Sequence, residues 1–135
     1  MTQTHSGSCL CGSVKFEMEG EFKKFFLCHC SLCRKTSGSA HCANVFAPGA
    51  KLNWLSGKEN LSFYRHADTN FARNFCATCS SLMPLHVEAR DLVIMPAGCL
   101  DTDIEITPQA HIFADSKCNW DAVLNDTPIY DQLPT

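Results

Sequence analysis

The sequence predicts a mainly β domain, a sheet structure stapled by zinc with only short helical turns, and three observations carry that expectation. Turn signals recur about every 8 to 12 residues along the chain, the spacing of short strands. Apolar and polar residues alternate with period two in several runs, whereas no stretch sustains the longer period of an amphipathic helix. Seven of the ten cysteines fall into three clusters, Cys9-Leu10-Cys11, Cys28-His29-Cys30-Ser31-Leu32-Cys33 and Cys76-Ala77-Thr78-Cys79. That is the spacing of metal ligands.

The elements follow in order. Val14 to Glu19 alternates apolar and charged side chains and stops at Gly20, so it reads as a strand. Phe25 to His29 is an apolar run leading into the middle cysteine cluster, and Ser31 to Gly38 reads as a loop or one helical turn. His41 to Phe46 is closed by Pro48-Gly49, Lys51 to Leu55 by Ser56-Gly57, and Leu61 to His66 by Ala67-Asp68. Phe71 to Phe75 feeds the third cluster, and Leu82 to Glu88 and Leu92 to Met95 precede Pro96-Ala97-Gly98. Asn119 to Leu124 is expected to form a short helix before an irregular tail marked by Pro128 and Pro134. No repeat, linker or low-complexity segment interrupts the chain, so residues 1–135 are expected to form one domain.

Composition narrows the functions. With 45% hydrophobic and 19% charged residues the chain has the make-up of a soluble globule. A net charge of -3 and a pI near 6.0 argue against nucleic acid, whose phosphates need concentrated Lys and Arg. No apolar run approaches the roughly 20 residues of a spanning helix, so no membrane partner is expected. The polar start Met1-Thr2-Gln3-Thr4-His5 lacks the pattern of a secretory signal. The expected location is therefore the cytoplasm, where cysteines serve as metal thiolates more readily than as disulfides.

A closed structural zinc takes four sulfur or nitrogen ligands, and a reactive one keeps three and an open position. Seven clustered thiols make four plus three. Cysteines two apart on a strand point to one face, so Cys9 with Cys11, and Cys28 with Cys30, can each offer two sulfurs side by side while His29 turns away. Spacing alone allows two partitions. One is a zinc ribbon of Cys30, Cys33, Cys76 and Cys79, which leaves Cys9, Cys11 and Cys28 idle. The other joins Cys9, Cys11, Cys76 and Cys79 in a structural site and leaves Cys28, Cys30 and Cys33 as a three-thiolate site.

At Gly7-Ser8-Cys9-Leu10-Cys11-Gly12, at Cys28 to Gly38, and at Arg73-Asn74-Phe75-Cys76-Ala77-Thr78-Cys79 the chain resembles the glutathione-dependent formaldehyde-activating (GFA) family, whose members share a mostly β fold with Mss4-like zinc proteins. Later echoes are Ala97 to Asp101 and Pro108 to Trp120. The resemblance implies an Mss4-like domain, a structural zinc on Cys9, Cys11, Cys76 and Cys79, and a reactive zinc on Cys28, Cys30 and Cys33. It also implies carbon-sulfur lyase chemistry, the formation or cleavage of S-hydroxymethylglutathione, with glutathione or another small thiol and a small aldehyde such as formaldehyde as substrates. The chain departs from the family pattern at Ser80-Ser81, where a glycine usually follows the last cysteine, and in carrying Cys99 and Cys118.

A zinc on three thiolates can bind and deprotonate a further thiol, whose free pKa is near 8.5, and so prepare it to attack an aldehyde carbon. Arg34 and Lys35, beside Cys33, are the expected substrate-binding cations for the carboxylates of a glutathione-like peptide. The plainer reading of both is a solvated loop or charge compensation. Arg73 is expected to support the structural site. His41, His66, His86 and His111 stand isolated in the sequence and are read as structural or exposed, and Cys42, Cys99 and Cys118 as small buried apolar residues. The rival to an enzyme is a non-enzymatic Mss4-like interaction or chaperone module, in which protein fills the fourth position of the second site.

Overall fold

A computed structural model describes residues 3–134, so Met1, Thr2 and Thr135, the ends of the expected domain, lie outside the described residues. Among the described residues eleven strands, β1 (Thr4–Ser8), β2 (Lys15–Glu19), β3 (Lys24–Cys28), β4 (Cys42–Pro48), β5 (Lys51–Ser56), β6 (Leu61–Arg65), β7 (Ala72–Cys76), β8 (Leu82–Met83), β9 (Leu85–Val87), β10 (Leu92–Pro96) and β11 (Ala110–Ile112), accompany a single α-helix, α1 (Ser31–Ser37). They form three sheets, ordered β1-β2-β5, β11-β3-β4-β10-β9 and β6-β7-β8. The domain is mainly β, as the turn spacing predicts.

Strand alternation places the core. In β2, Phe16 and Met18 are fully buried and their neighbours are not, which is what period two dictates when one face of a sheet meets the interior. Val45 and Ala47 of β4, Val93 and Met95 of β10 and Met83 of β8 meet them there. Burying a side chain of this size stabilises by about 1.5–3 kcal/mol, so these residues anchor the sheets on which the cysteines are mounted.

Two strands escape the sequence reading. β1 has the composition THSGS, too polar to announce itself, yet it pairs antiparallel with β2 along its whole length. Gly7 lies opposite Phe16, and a Cβ there would collide with the Phe16 ring; the missing side chain is what lets the aromatic pack. β11 is three residues long and pairs parallel to β3. The expected strand over Leu82 to Glu88 is two, because Pro84 between them has no N–H to continue a ladder. β8 joins β7 while β9 joins β10, so the proline marks a change of sheet.

The segment 31–38 forms a seven-residue α-helix, longer than one turn, capped at its start by Cys30 and ended by Gly38 at φ 67°. Residues 119–126 form a short helix of the 3-10 type, extending the expected Asn119 to Leu124 by two residues.

Candidate metal centres

The thiols gather in two groups, and each group draws on distant elements. Cys9 and Cys11 lie in the turn after β1, Cys76 ends β7, and Cys79 lies in the turn that follows. One sulfur from each comes within 4.8 Å of the others. Cys9 Sγ and Cys11 Sγ are 3.6 Å apart, and Cys11 Sγ and Cys76 Sγ 3.8 Å. A tetrahedral zinc with Zn–S bonds of about 2.3 Å has sulfur-sulfur edges of about 3.8 Å, while a disulfide needs about 2.05 Å. The donor set and its spacing fit a metal.

Hydrogen bonds hold these sulfurs. Val14 N–H donates to Cys9 Sγ at 3.2 Å, and Asn60 Nδ2 to Cys76 Sγ at 3.5 Å. Leu10 N–H donates to Ser81 Oγ at 2.9 Å, and Ser81 Oγ lies 3.3 Å from Cys79 Sγ. Contact with Ser81 is the main reason the Cys79 thiol is held down to about 5. Ser80 adopts the left-handed region at φ 69°, and its N–H donates to the Cys76 carbonyl at 2.8 Å to close the turn. A non-glycine residue in this conformation loads strain into the turn.

Cys28, Cys30 and Cys33 form the second group, with their sulfurs also within 4.8 Å of one another. Cys28 ends β3, Cys30 caps α1 and accepts the Cys33 N–H at 3.3 Å, and Cys33 is buried in the first turn. The ribbon partition is not seen: Cys30 and Cys33 group with Cys28, and not with Cys76 and Cys79. Burial pushes the Cys28 thiol up to about 12. The Cys33 thiol is raised further, first by its hydrogen bond with Cys42 and then by burial. Both shifts favour the protonated thiol, so metal binding at the second centre displaces protons.

Two residues at this centre depart from what the sequence predicts. Cys42, which has no partner at metal-ligand spacing in the sequence, lies directly opposite Cys28 in the β3–β4 register and packs against Cys28 and Cys33. Its Sγ donates to Asn44 Oδ1 at 3.0 Å, and it stands outside the three-thiol group. Arg73 does not support the first centre. It is buried, stacks over the Phe71 ring at 4.6 Å, and donates from Nη2 to Cys33 Sγ at 3.4 Å. Arg73 and Cys76 are three apart on β7, an odd number, and so face opposite sides of the sheet.

Arg34 and Lys35 lie in the last turn of α1, Arg34 partly buried and Lys35 exposed. An open groove of about 660 Å³, within the usual range for ligand sites, is lined by Cys9, Leu10, Ser81, Ser37, His41 and Cys42 among others.

The histidines read as isolated are partly clustered. His29 is fully buried, its Nε2 lies 2.8 Å from His111 Nδ1, and its ring centroid is 5.2 Å from that of His41. Burial, followed by the neighbouring His29, holds the His41 imidazole below its ordinary range. His66 and His86 stay apart from them, near Tyr64 and Asp91.

A family model described as glutathione-dependent formaldehyde-activating enzyme matches residues 4–116. A Halomonas elongata protein named "Putative glutathione-dependent formaldehyde-activating enzyme" is 29% identical over 121 residues, covering 84% of this chain and 77% of that protein. The crystal structure of a Rhodobacter sphaeroides protein superposes with a TM-score of 0.57 at 23% identity, covering 78% of this chain and 97% of the other. At that identity the likeness concerns the fold.

Proposed function

The chain belongs to the glutathione-dependent formaldehyde-activating enzyme family, and from that premise we propose that it is a zinc-dependent carbon-sulfur lyase. Its substrate would be a small thiol-aldehyde adduct, S-hydroxymethylglutathione, formed or cleaved. The observation that carries the reading is the three-thiol group of Cys28, Cys30 and Cys33, with Cys30 partly exposed and Cys42 outside the group. Three ligands leave a position for substrate.

In this reading Cys9, Cys11, Cys76 and Cys79 hold a structural zinc and Cys28, Cys30 and Cys33 a reactive one, two per chain in a single cytoplasmic domain. Zinc at the second centre would lower the pKa of a substrate thiol and so raise its thiolate fraction at neutral pH. The chain's own groups do the rest. The Arg73 guanidinium offsets the negative charge of three thiolates from beside Cys33. Arg34 and Lys35 meet the substrate carboxylates. The substrate sulfur forms a bond to the formaldehyde carbon while the carbonyl oxygen takes a proton and becomes a hydroxyl; cleavage reverses both changes.

The test combines metal content with exchange of isotope-labelled formaldehyde into glutathione, followed by NMR. Wild type is expected to carry two zincs and to exceed the uncatalysed rate. Cys30→Ser is expected to stay folded with one zinc and no acceleration, and Arg34→Ala to raise KM for glutathione. Wild-type protein that carries both zincs and gives only the uncatalysed rate refutes the proposal.

A further inference from the structure

We propose that His29, His41 and Asp121 form a third metal site, for a divalent first-row ion of borderline softness such as zinc, separate from both thiol groups. One ligating atom from each of the three residues comes within 4.8 Å of the others. The site lies beyond the lyase reading and needs none of its residues.

The strand register builds it. Leu27 faces Ala43 and Cys28 faces Cys42 across β3 and β4, so the next pair outward is His29 with His41. Alternation sends Cys28 and Cys42 to one side, where they pack together with Ile112, and the imidazoles of His29 and His41 to the other. His111, the neighbour of Ile112 on β11, follows the same alternation and meets His29. One strand end therefore carries sulfur donors on one face and nitrogen donors on the other.

An unpartnered buried atom points to an occupant. His29 is completely buried, and its Nδ1 has no hydrogen-bond partner among the described residues. Asp121 Oδ1 stands 3.9 Å from it, beyond hydrogen-bond reach. His41 Nδ1 is likewise buried and unpaired. Leaving a buried polar atom unsatisfied is costly, and two such nitrogens beside a carboxylate are what a cation would satisfy. The partner on the other side of His29 suits the same role, since metal-bound imidazoles generally use their second nitrogen to donate a hydrogen bond. When His29 Nε2 donates to His111 Nδ1, the Nδ1 lone pair is free to coordinate.

Two imidazoles and one carboxylate select zinc and its first-row neighbours over calcium or magnesium, which prefer oxygen. Bonds of about 2.0–2.1 Å give tetrahedral edges of about 3.3 Å, so Asp121 moves inward by roughly half an ångström on binding. It can do so because it sits near the start of the short helix 119–126, whose residues are mostly exposed. A bound ion would tie this segment to the end of β3.

The experiment is equilibrium dialysis of the holoprotein, its thiol groups already loaded, against micromolar Zn2+. Wild type is expected to take up one further equivalent, His41→Ala none, and Asp121→Asn to bind it about tenfold or more weakly, while both variants keep their thiol-held zinc as proof of folding. Cys30→Ser, which breaks the three-thiol group, is expected to retain the further equivalent. No further equivalent in wild type, the same uptake in wild type and His41→Ala, or loss of that uptake in Cys30→Ser overturns the proposal. The formaldehyde exchange assay is untouched by any of these results, so the two readings fail separately.

Discussion

Replacing Arg73 by glutamine should weaken metal binding at one thiol group and leave the other intact. The guanidinium is buried, lies 4.6 Å over the Phe71 ring and donates to Cys33 Sγ at 3.4 Å. A hydrogen bond to a charged group is worth about 1.5–3 kcal/mol, and a partly desolvated cation–π contact about 1–2 kcal/mol. Only the first bears directly on the sulfur. At about 1.4 kcal/mol per factor of ten, its loss predicts about 10- to 100-fold weaker binding at Cys28, Cys30 and Cys33, the range usual for residues that support metal ligands. The cation–π share appears instead as a lower melting temperature. Stepwise chelator competition, with zinc released from each group counted by mass spectrometry, reads the first effect. Arg73→Lys keeps the charge without the planar fork and should fall between wild type and Arg73→Gln. Equal weakening of both groups, or unchanged affinity at the three-thiol group, would refute the reasoning, because Arg73 and Cys76 face opposite sides of β7.

Three further outcomes are expected. Cys9→Ser removes a ligand from a site that joins the turn after β1 to the end of β7; a structural zinc contributes on the order of 10 kcal/mol, comparable to a small domain's whole stability, so this variant should fail to show a cooperative melt, and a wild-type melt would rule out the stapling role. Ser80→Gly relieves a left-handed residue at φ 69°: about 1–2 kcal/mol of strain less about 0.5–1 kcal/mol of glycine's chain entropy leaves a gain of about 0.5–1 kcal/mol, a rise of roughly 2–5 °C in Tm, and an unchanged or lower Tm would contradict it. Burial raises the Cys99 thiol from 9.0 to about 12, so its contribution to stability is complete below pH 9 and is lost as pH rises toward 12. The stability gap between wild type and Cys99→Ala should therefore narrow above pH 9, and a gap that stays constant from pH 7 to pH 10 would show that the thiol does not titrate with folding.

What the sequence makes legible is local. Val14 to Glu19 shows its alternation openly because one face of β2 meets the core and the other does not, and the paired cysteines show their purpose because ligand spacing is itself a local pattern. β1 is unreadable for the opposite reason: Gly7 contributes by lacking a side chain beneath Phe16, and only the partner strand reveals that. Arg73 departs from its sequence expectation because nearness to Cys76 along the chain is not nearness in space when an odd number of strand residues separates them.

The imidazole cluster is the sharpest case, since residues 29, 41, 111 and 121 share no spacing at all. Their meeting depends on register: once Cys28 stands opposite Cys42, the flanking histidines must stand opposite each other on the reverse face, and the parallel pairing of β11 with β3 brings His111 to the same side. A signal was present in the sequence. Cys28-His29, His41-Cys42 and His111-Ile112 each set an imidazole beside a thiol or an apolar residue. Two strands carrying that dipeptide in opposite order, paired antiparallel, place like with like, so the thiol cluster on one face and the imidazole cluster on the other are two consequences of one register. A one-residue slip of β3 against β4 would dissolve both together.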